Sequence, residues 1–155
     1  METIFDAKEL RRSGYYIWYA PKKMYLELLE KLNINFKEIS DNVERLENDE
    51  KYFAIYVGIA ENQPVIRSIG HHLYNSFDSY TLRKSVAAVY ETKNHDEINK
   101  FVDKLKVKIF EYSGNLHEKE KDLLQKYFFV LNIQGNRIWA NIISLLIDRR
   151  RNMFR

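Results

Sequence analysis

Two groups of residues have types and spacings that could do chemistry. In the stretch that begins at Asn115, the residues Leu116, Leu123, Leu124, Tyr127 and Leu131 fall on one stripe, given the helical advance of about 100° per residue. Glu120 lies in the middle of that stripe, and Glu118 points the opposite way. A carboxylate directed at an apolar face is costly unless it is paired or bound to a metal, so Glu120 is the acid of this chain most suspect of function. The plainer reading is a Glu near a helix N-terminus, neutralised by the dipole or a nearby Lys, and spacing alone favours it. The second group follows Gln63. There Val65, Ile66, Ile69 and Leu73 form a buried face, while Arg67, His71 and Tyr74 gather on the other at i, i+4 and i+7. An Arg can hold a phosphate bidentately, and a His four residues on can take or give a proton at the same phosphate. His72 is turned about 100° away, toward the apolar edge. Without other support, Arg67 and His71 read as plain surface residues.

The elements that must position these groups can be read from the pattern. Tyr15 to Ala20 is aromatic and β-branched, follows Ser13-Gly14 and is stopped by Pro21, which predicts a strand. Tyr52 to Gly58 predicts a second strand and Val107 to Tyr112 a third. Helices are expected at Met24 to Leu32, about Gln63 to Tyr74, Ser79 to about Tyr90, Asn94 to Lys104, Asn115 to about Phe128, and about Arg137 to Arg150. Asn115 with Glu118 three residues on resembles a capping box. The acidic run Asp41 to Glu50 reads as helix or loop. The sum is an α+β chain, a small three-stranded antiparallel or mixed sheet surrounded by helices.

At 155 residues the chain has the size of one domain. There are no cysteines, which excludes a disulfide framework and a Cys-ligated zinc and fits a cytoplasmic location. Met1 to Arg12 has no apolar core of a secretory signal. The longest apolar run, Ile142 to Ile147, is broken by Ser144 and falls far short of the roughly 20 residues of a membrane helix. The net charge of +3 says little by itself. Arg149, Arg150, Arg151 and Arg155 crowd the C-terminus, and a solvated tail and a phosphate-binding one explain them about equally well.

The order of these residues resembles the GIY-YIG nuclease superfamily. Gly14-Tyr15-Tyr16 looks like its first signature and Tyr56-Val57-Gly58 like its second. Arg67 matches the catalytic Arg, and His71, four residues later, is placed as in the restriction-enzyme branch. The segment Tyr80 to Ser85 resembles one found after that helix in some bacterial members and includes Arg83 and Lys84. Glu120 matches the metal-binding Glu, and Leu131-Asn132 with the residues to Asn136 resembles the closing segment. The likeness runs from about Gly14 to Asn136. It departs from the family pattern in having Tyr15 in place of Ile, Ile59 after the second signature, and Pro21 to Lys51 where a short turn usually joins the strands. That insertion, about 21–51, is expected to be helical and could serve specificity, dimer contacts or partner binding.

The resemblance implies a single domain over 1–155 that cuts DNA with Mg²⁺ (or Mn²⁺). Glu120 would hold the metal, Arg67 would clamp the scissile phosphate, and Tyr16 would position or deprotonate the attacking water, with Tyr56 lining the same site. A free Tyr titrates near 10 and needs a neighbouring cation to act as a base, so Tyr16 and His71 both stand as candidates. Gly58 and Asn132 would support the site. Arg83, Lys84, Arg149 and Arg150 are the expected nucleic-acid contacts. Cutting both strands together would take a homodimer, because one domain has one site. A binding module of the same fold that does not cut is the alternative.

Overall fold

The run Tyr-Tyr-Ile-Trp-Tyr-Ala has no polar break, as suits a strand covered on both faces, and it becomes the central strand of the sheet. The computed structural model describes residues 1–6, 13–61, 64–77 and 81–155, with backbone alone at 5, 6, 66 and 81. The helix starts expected at Gln63 and Ser79, the residue Tyr80 and the Ile66 side chain lie outside the described residues. In chain order the elements are β1 (Glu2–Asp6), β2 (Gly14–Pro21), α1 (Lys22–Lys31), α2 (Phe36–Ile39), β3 (Arg45–Leu46), β4 (Asp49–Ala60), α3 (Val65–His71), α4 (Thr81–Tyr90), α5 (His95–Val102), β5 (Lys106–Glu111), α6 (Leu116–Lys126) and α7 (Ser144–Met153).

The architecture is α+β, but the sheet has five strands and not three, in the order β1-β5-β2-β4-β3. The expected strands form its centre, with β2 antiparallel to both β4 and β5. The two additions are edges. β1 runs parallel to β5, and only Ile4 and Phe5 of its five residues are strongly apolar, so alternation was too short to announce it. β3 has two residues and is joined to β4 by a tight turn with Asn48 at φ 66°. The acidic run thus becomes a hairpin, apart from a 3-10 turn at Ser40–Asn42. The expected helical excursion at 21–51 carries α1 and α2 but also β3 and the start of β4.

Period-two alternation sorts the side chains to two faces. Tyr16, Trp18, Tyr56, Val107 and Ile109 join the main core with α1, α3, α4, α5 and α7. Ile17, Tyr19, Ala54 and Val57 meet Leu123 and Leu124 of α6 on the other face. A bulge shifts the register between Trp18 and Tyr19, so that Tyr16 faces Gly58 and Trp18 faces Tyr56. Both signature tyrosines therefore point to one side. The amide oxygen of Asn115 accepts from the Glu118 N–H at 3.1 Å, which fixes the first turn of α6 and with it the direction of Glu120. The last helix begins at Ser144 rather than at Arg137. Before it the chain turns, with Gly135 at φ 78° and the Asn136 amide donating to the carbonyls of Asn132 and Phe129. Among the described residues no helix is long and apolar enough to cross a membrane.

Candidate active site

Gly58 is where the site is built. The ring of Tyr16 lies flat across it, and a Cβ on residue 58 would come within 2.4 Å of the Tyr16 hydroxyl oxygen. Only a glycine lets this tyrosine cross β4. Its hydroxyl then reaches His72 and is hydrogen-bonded to Nε2 at 2.8 Å. His72 is buried, held edge-on among Tyr16, Trp18 and Tyr56 at ring separations of 5.6, 6.0 and 5.7 Å. Burial, His71 and Arg83 together lower its pKa to about 4, so it is neutral. Tyr16 is pushed well above the ordinary phenol value by burial, then by Tyr56 and by Glu120. The carboxylate of Glu120 is thus near enough to oppose ionisation of Tyr16.

Asn132 secures the neighbouring strand. Its side-chain amide accepts from the Val57 N–H at 2.9 Å and donates to the Val57 carbonyl at 3.0 Å. The Leu131 N–H completes the edge by donating to the carbonyl of Ile55. Asn132 therefore imitates a partner strand at the residue between Tyr56 and Gly58, and two buried backbone groups that would otherwise be orphaned are satisfied.

Glu120 is half-buried on α6, and burial raises its pKa while His117 lowers it. It has no hydrogen-bond or ion-pair partner among the described residues. It lines an open cleft of about 360 Å³ with His117, Lys121, Leu124, Gly135, Arg137 and Ile138. His117 is itself engaged by Glu61 at 2.6 Å. Among the described residues no three His, Asp or Glu side chains come together as a metal cage. A half-buried carboxylate with no hydrogen-bond or ion-pair partner among the described residues, and with room for water beside it, fits a hard cation that takes one protein ligand and fills its other positions with water and phosphate oxygens.

Arg67 is exposed on α3 and takes no partner among the described residues, which leaves its guanidinium open to an anion. His71, the last residue of α3, is half-buried with its ring 5.6 Å from that of Tyr74, and α3 ends there and not at Tyr74, so Tyr74 lies in the turn beyond the helix. The structure brings together Tyr16, Tyr56, Gly58 and Asn132, with Glu120 in electrostatic range. It adds His72, which the sequence reading had turned away from the chemistry. The signal was present, because His72 continues the buried stripe of Val65 and Ile69 at i+7 and i+3. That stripe faces the tyrosines.

The expected DNA contacts are redistributed. Arg83 is a correction: it is fully buried, donates to the His72 carbonyl and to Asn99, and cannot reach a phosphate backbone. Lys84 lies over the ring of Phe154 at 5.6 Å. Arg149 is turned onto the Val89 carbonyl and Glu91. Arg150 is half-buried, bonds Ser85 Oγ at 3.4 Å and sits in the field of Tyr56. Lys121 and Arg137, beside Glu120, are the cations that the sequence reading passed over; nothing in their spacing marks them.

The family model for the GIY-YIG catalytic domain matches residues 14–153. No curated protein and no solved structure matches the chain. With nine-tenths of its length under that match, the chain belongs to the GIY-YIG catalytic domain family, a nuclease-type family.

Proposed function

We propose that this protein is a metal-dependent DNA endonuclease that hydrolyses phosphodiester bonds. The observation that carries the reading is the Tyr16–His72 hydrogen bond, formed across Gly58 and within the field of a half-buried Glu120 that has no partner among the described residues. Hydrolysis needs a water that loses a proton as it attacks phosphorus, and charge stabilisation at the phosphate. Burial keeps the Tyr16 phenol protonated, so a free phenolate is not the base. With neutral His72 in the tautomer that leaves Nε2 unprotonated, the Tyr16 hydroxyl can pass its proton to Nε2 while its oxygen takes one from the attacking water. Tyr16 is then a relay and His72 a transient acceptor, because its lowered pKa disfavours a lasting imidazolium. Arg67 would hold the scissile phosphate bidentately. Bound at Glu120, Mg²⁺ or Mn²⁺ would supply charge neutralisation at the phosphate and at the leaving oxygen. His71, four residues on from Arg67, would take or give a proton at the same phosphate.

The test is nicking of supercoiled plasmid with Mg²⁺ or Mn²⁺ by the wild type and by His72→Gln. Metal-dependent nicking that falls in His72→Gln supports the relay. Salt-sensitive DNA binding with no cleavage at any metal concentration would favour a non-cutting module of the same fold.

A further inference from the structure

Arg83 is a fully buried cation that the reaction scheme does not use. Both Nη atoms of its guanidinium are engaged. Nη1 donates to the backbone carbonyl of His72 at 3.2 Å and to Asn99 Oδ1 at 2.9 Å. Nη2 lies 3.0 Å from His95 Nδ1 and 3.5 Å from Asn75 Oδ1, and Asn99 in turn donates to Asn75 at 3.0 Å. None of these partners is a carboxylate. Among the described residues no carboxylate pairs with Arg83, and its Nε has no partner. A buried guanidinium is ordinarily neutralised by an acid. One arm of the Arg83 guanidinium is directed at the C-terminal end of α3, where helix carbonyls are unsatisfied and the dipole favours a cation.

We propose that Arg83 is a positioning residue that acts through His72: it anchors the end of α3 and holds the imidazole against the Tyr16 hydroxyl. The chain of contacts is continuous. Asn99 and His95 on α5 fix the guanidinium, the guanidinium fixes the His72 carbonyl, and the His72 ring meets Tyr16 on β2. Phe77 stacks on His95 at 4.5 Å and packs against Phe154 at 5.0 Å, so the segment after α3 and the end of α7 close over His95. The charge has a second consequence. The titratable groups facing His72 are Tyr16 and Tyr56 from the sheet, His71 from its own helix and Arg83 from α4, and the last two are cations or can become so. Both disfavour an imidazolium. Arg83 thereby adds to the effect of burial and of His71 in disfavouring a charged His72.

The activity arm of this proposal rests on the nuclease reading, and the spectroscopic arm does not. The His72 ring is titrated by NMR in the wild type, Arg83→Met and Arg83→Lys, and kcat and KM are measured on plasmid DNA. In folded Arg83→Met the His72 titration moves upward by less than about one pH unit, since burial and His71 account for most of its lowering, kcat falls by about tenfold or more, and KM changes less than about twofold. Arg83→Lys, which keeps the charge but not the fork, recovers part of both effects. If Arg83→Met does not fold, Asn99→Leu, which frees one arm of the guanidinium and leaves His72 untouched, is read in the same way. A folded variant whose His72 titration and kcat match the wild type overturns the proposal. If the wild type cuts no DNA, the nuclease reading fails, and the His72 titration alone decides the positioning role.

Discussion

Replacing Gly58 by Ala is the most exacting test of how the site is assembled. The new Cβ would stand 2.4 Å from both Cζ and Oη of Tyr16 and 2.7 Å from Cε2. Carbon pairs settle at about 3.5–4.0 Å, so the ring has to move by about 1 Å. It has nowhere free to go, because Tyr16 is 4% exposed and sits in the main core with Trp18 and Ile109. Overpacking of this kind costs about 1–3 kcal/mol, and loss of the Tyr16–His72 hydrogen bond adds about 1 kcal/mol. For a domain of this size that sum lowers Tm by about 5–15 °C. A displacement of about 1 Å at a reacting group also lowers kcat by about a hundredfold. Gly70→Ala is the internal control. That glycine lies in α3 with nothing within 4 Å of a Cβ, and an alanine there should stabilise the helix by about 0.5–1 kcal/mol. Thermal melts and plasmid nicking of the two variants side by side are the assay. A Gly58→Ala protein that melts with Gly70→Ala and nicks at the wild-type rate would refute the placement of Tyr16.

Other consequences follow from the same geometry. His72 has a folded-state pKa of about 4 against an ordinary value of 6.5. The unfolded chain therefore takes up a proton that the folded one refuses, and stability falls as pH drops from about 6.5 to 4, by about 3 kcal/mol in all. Urea unfolding across that window should show the slope in the wild type and lose it in His72→Gln; an unchanged slope would contradict the burial of His72. Asn132→Ala leaves the Val57 N–H and carbonyl without partners and should cost about 2–3 kcal/mol in a denaturant melt, with nicking reduced through the shifted β4. His72→Gln should lower kcat by about 10²-fold at neutral pH, and a wild-type rate in that variant would remove His72 from the proton path.

Much of the fold was legible in the sequence, for reasons that particular elements show. β2 announced itself through an unbroken aromatic and β-branched run bounded by Gly14 and Pro21, and α6 through its Asn115 cap and leucine stripe. β1 and β3 did not, because a short polar edge strand and a two-residue strand are held by pairing with β5 and β4 and carry no periodic signal of their own. The start of α7 was misplaced because the apolar residues of 137–143 pack from turns and not from a helix. At the site, Tyr16, Tyr56 and Glu120 could be named from motif order and from the anomaly of an acid in an apolar stripe. His72 was lost by treating the apolar edge of α3 as structure only. In this protein that edge is where the imidazole meets the phenol. Arg83 was read as a DNA contact because charge ordinarily means surface; nothing local says that Asn75, His95 and Asn99 converge on it from other elements.

The central claim, cleavage organised by a metal at Glu120 and a phosphate clamp at Arg67, is tested most directly by one measurement: nicking of supercoiled plasmid with Mg²⁺ or Mn²⁺ by the wild type, Glu120→Ala and Arg67→Ala, all confirmed folded. The account predicts nicking that needs the metal and is lost in both variants. Wild-type protein that leaves the plasmid intact, or a Glu120→Ala protein that nicks as well as the wild type, would contradict it.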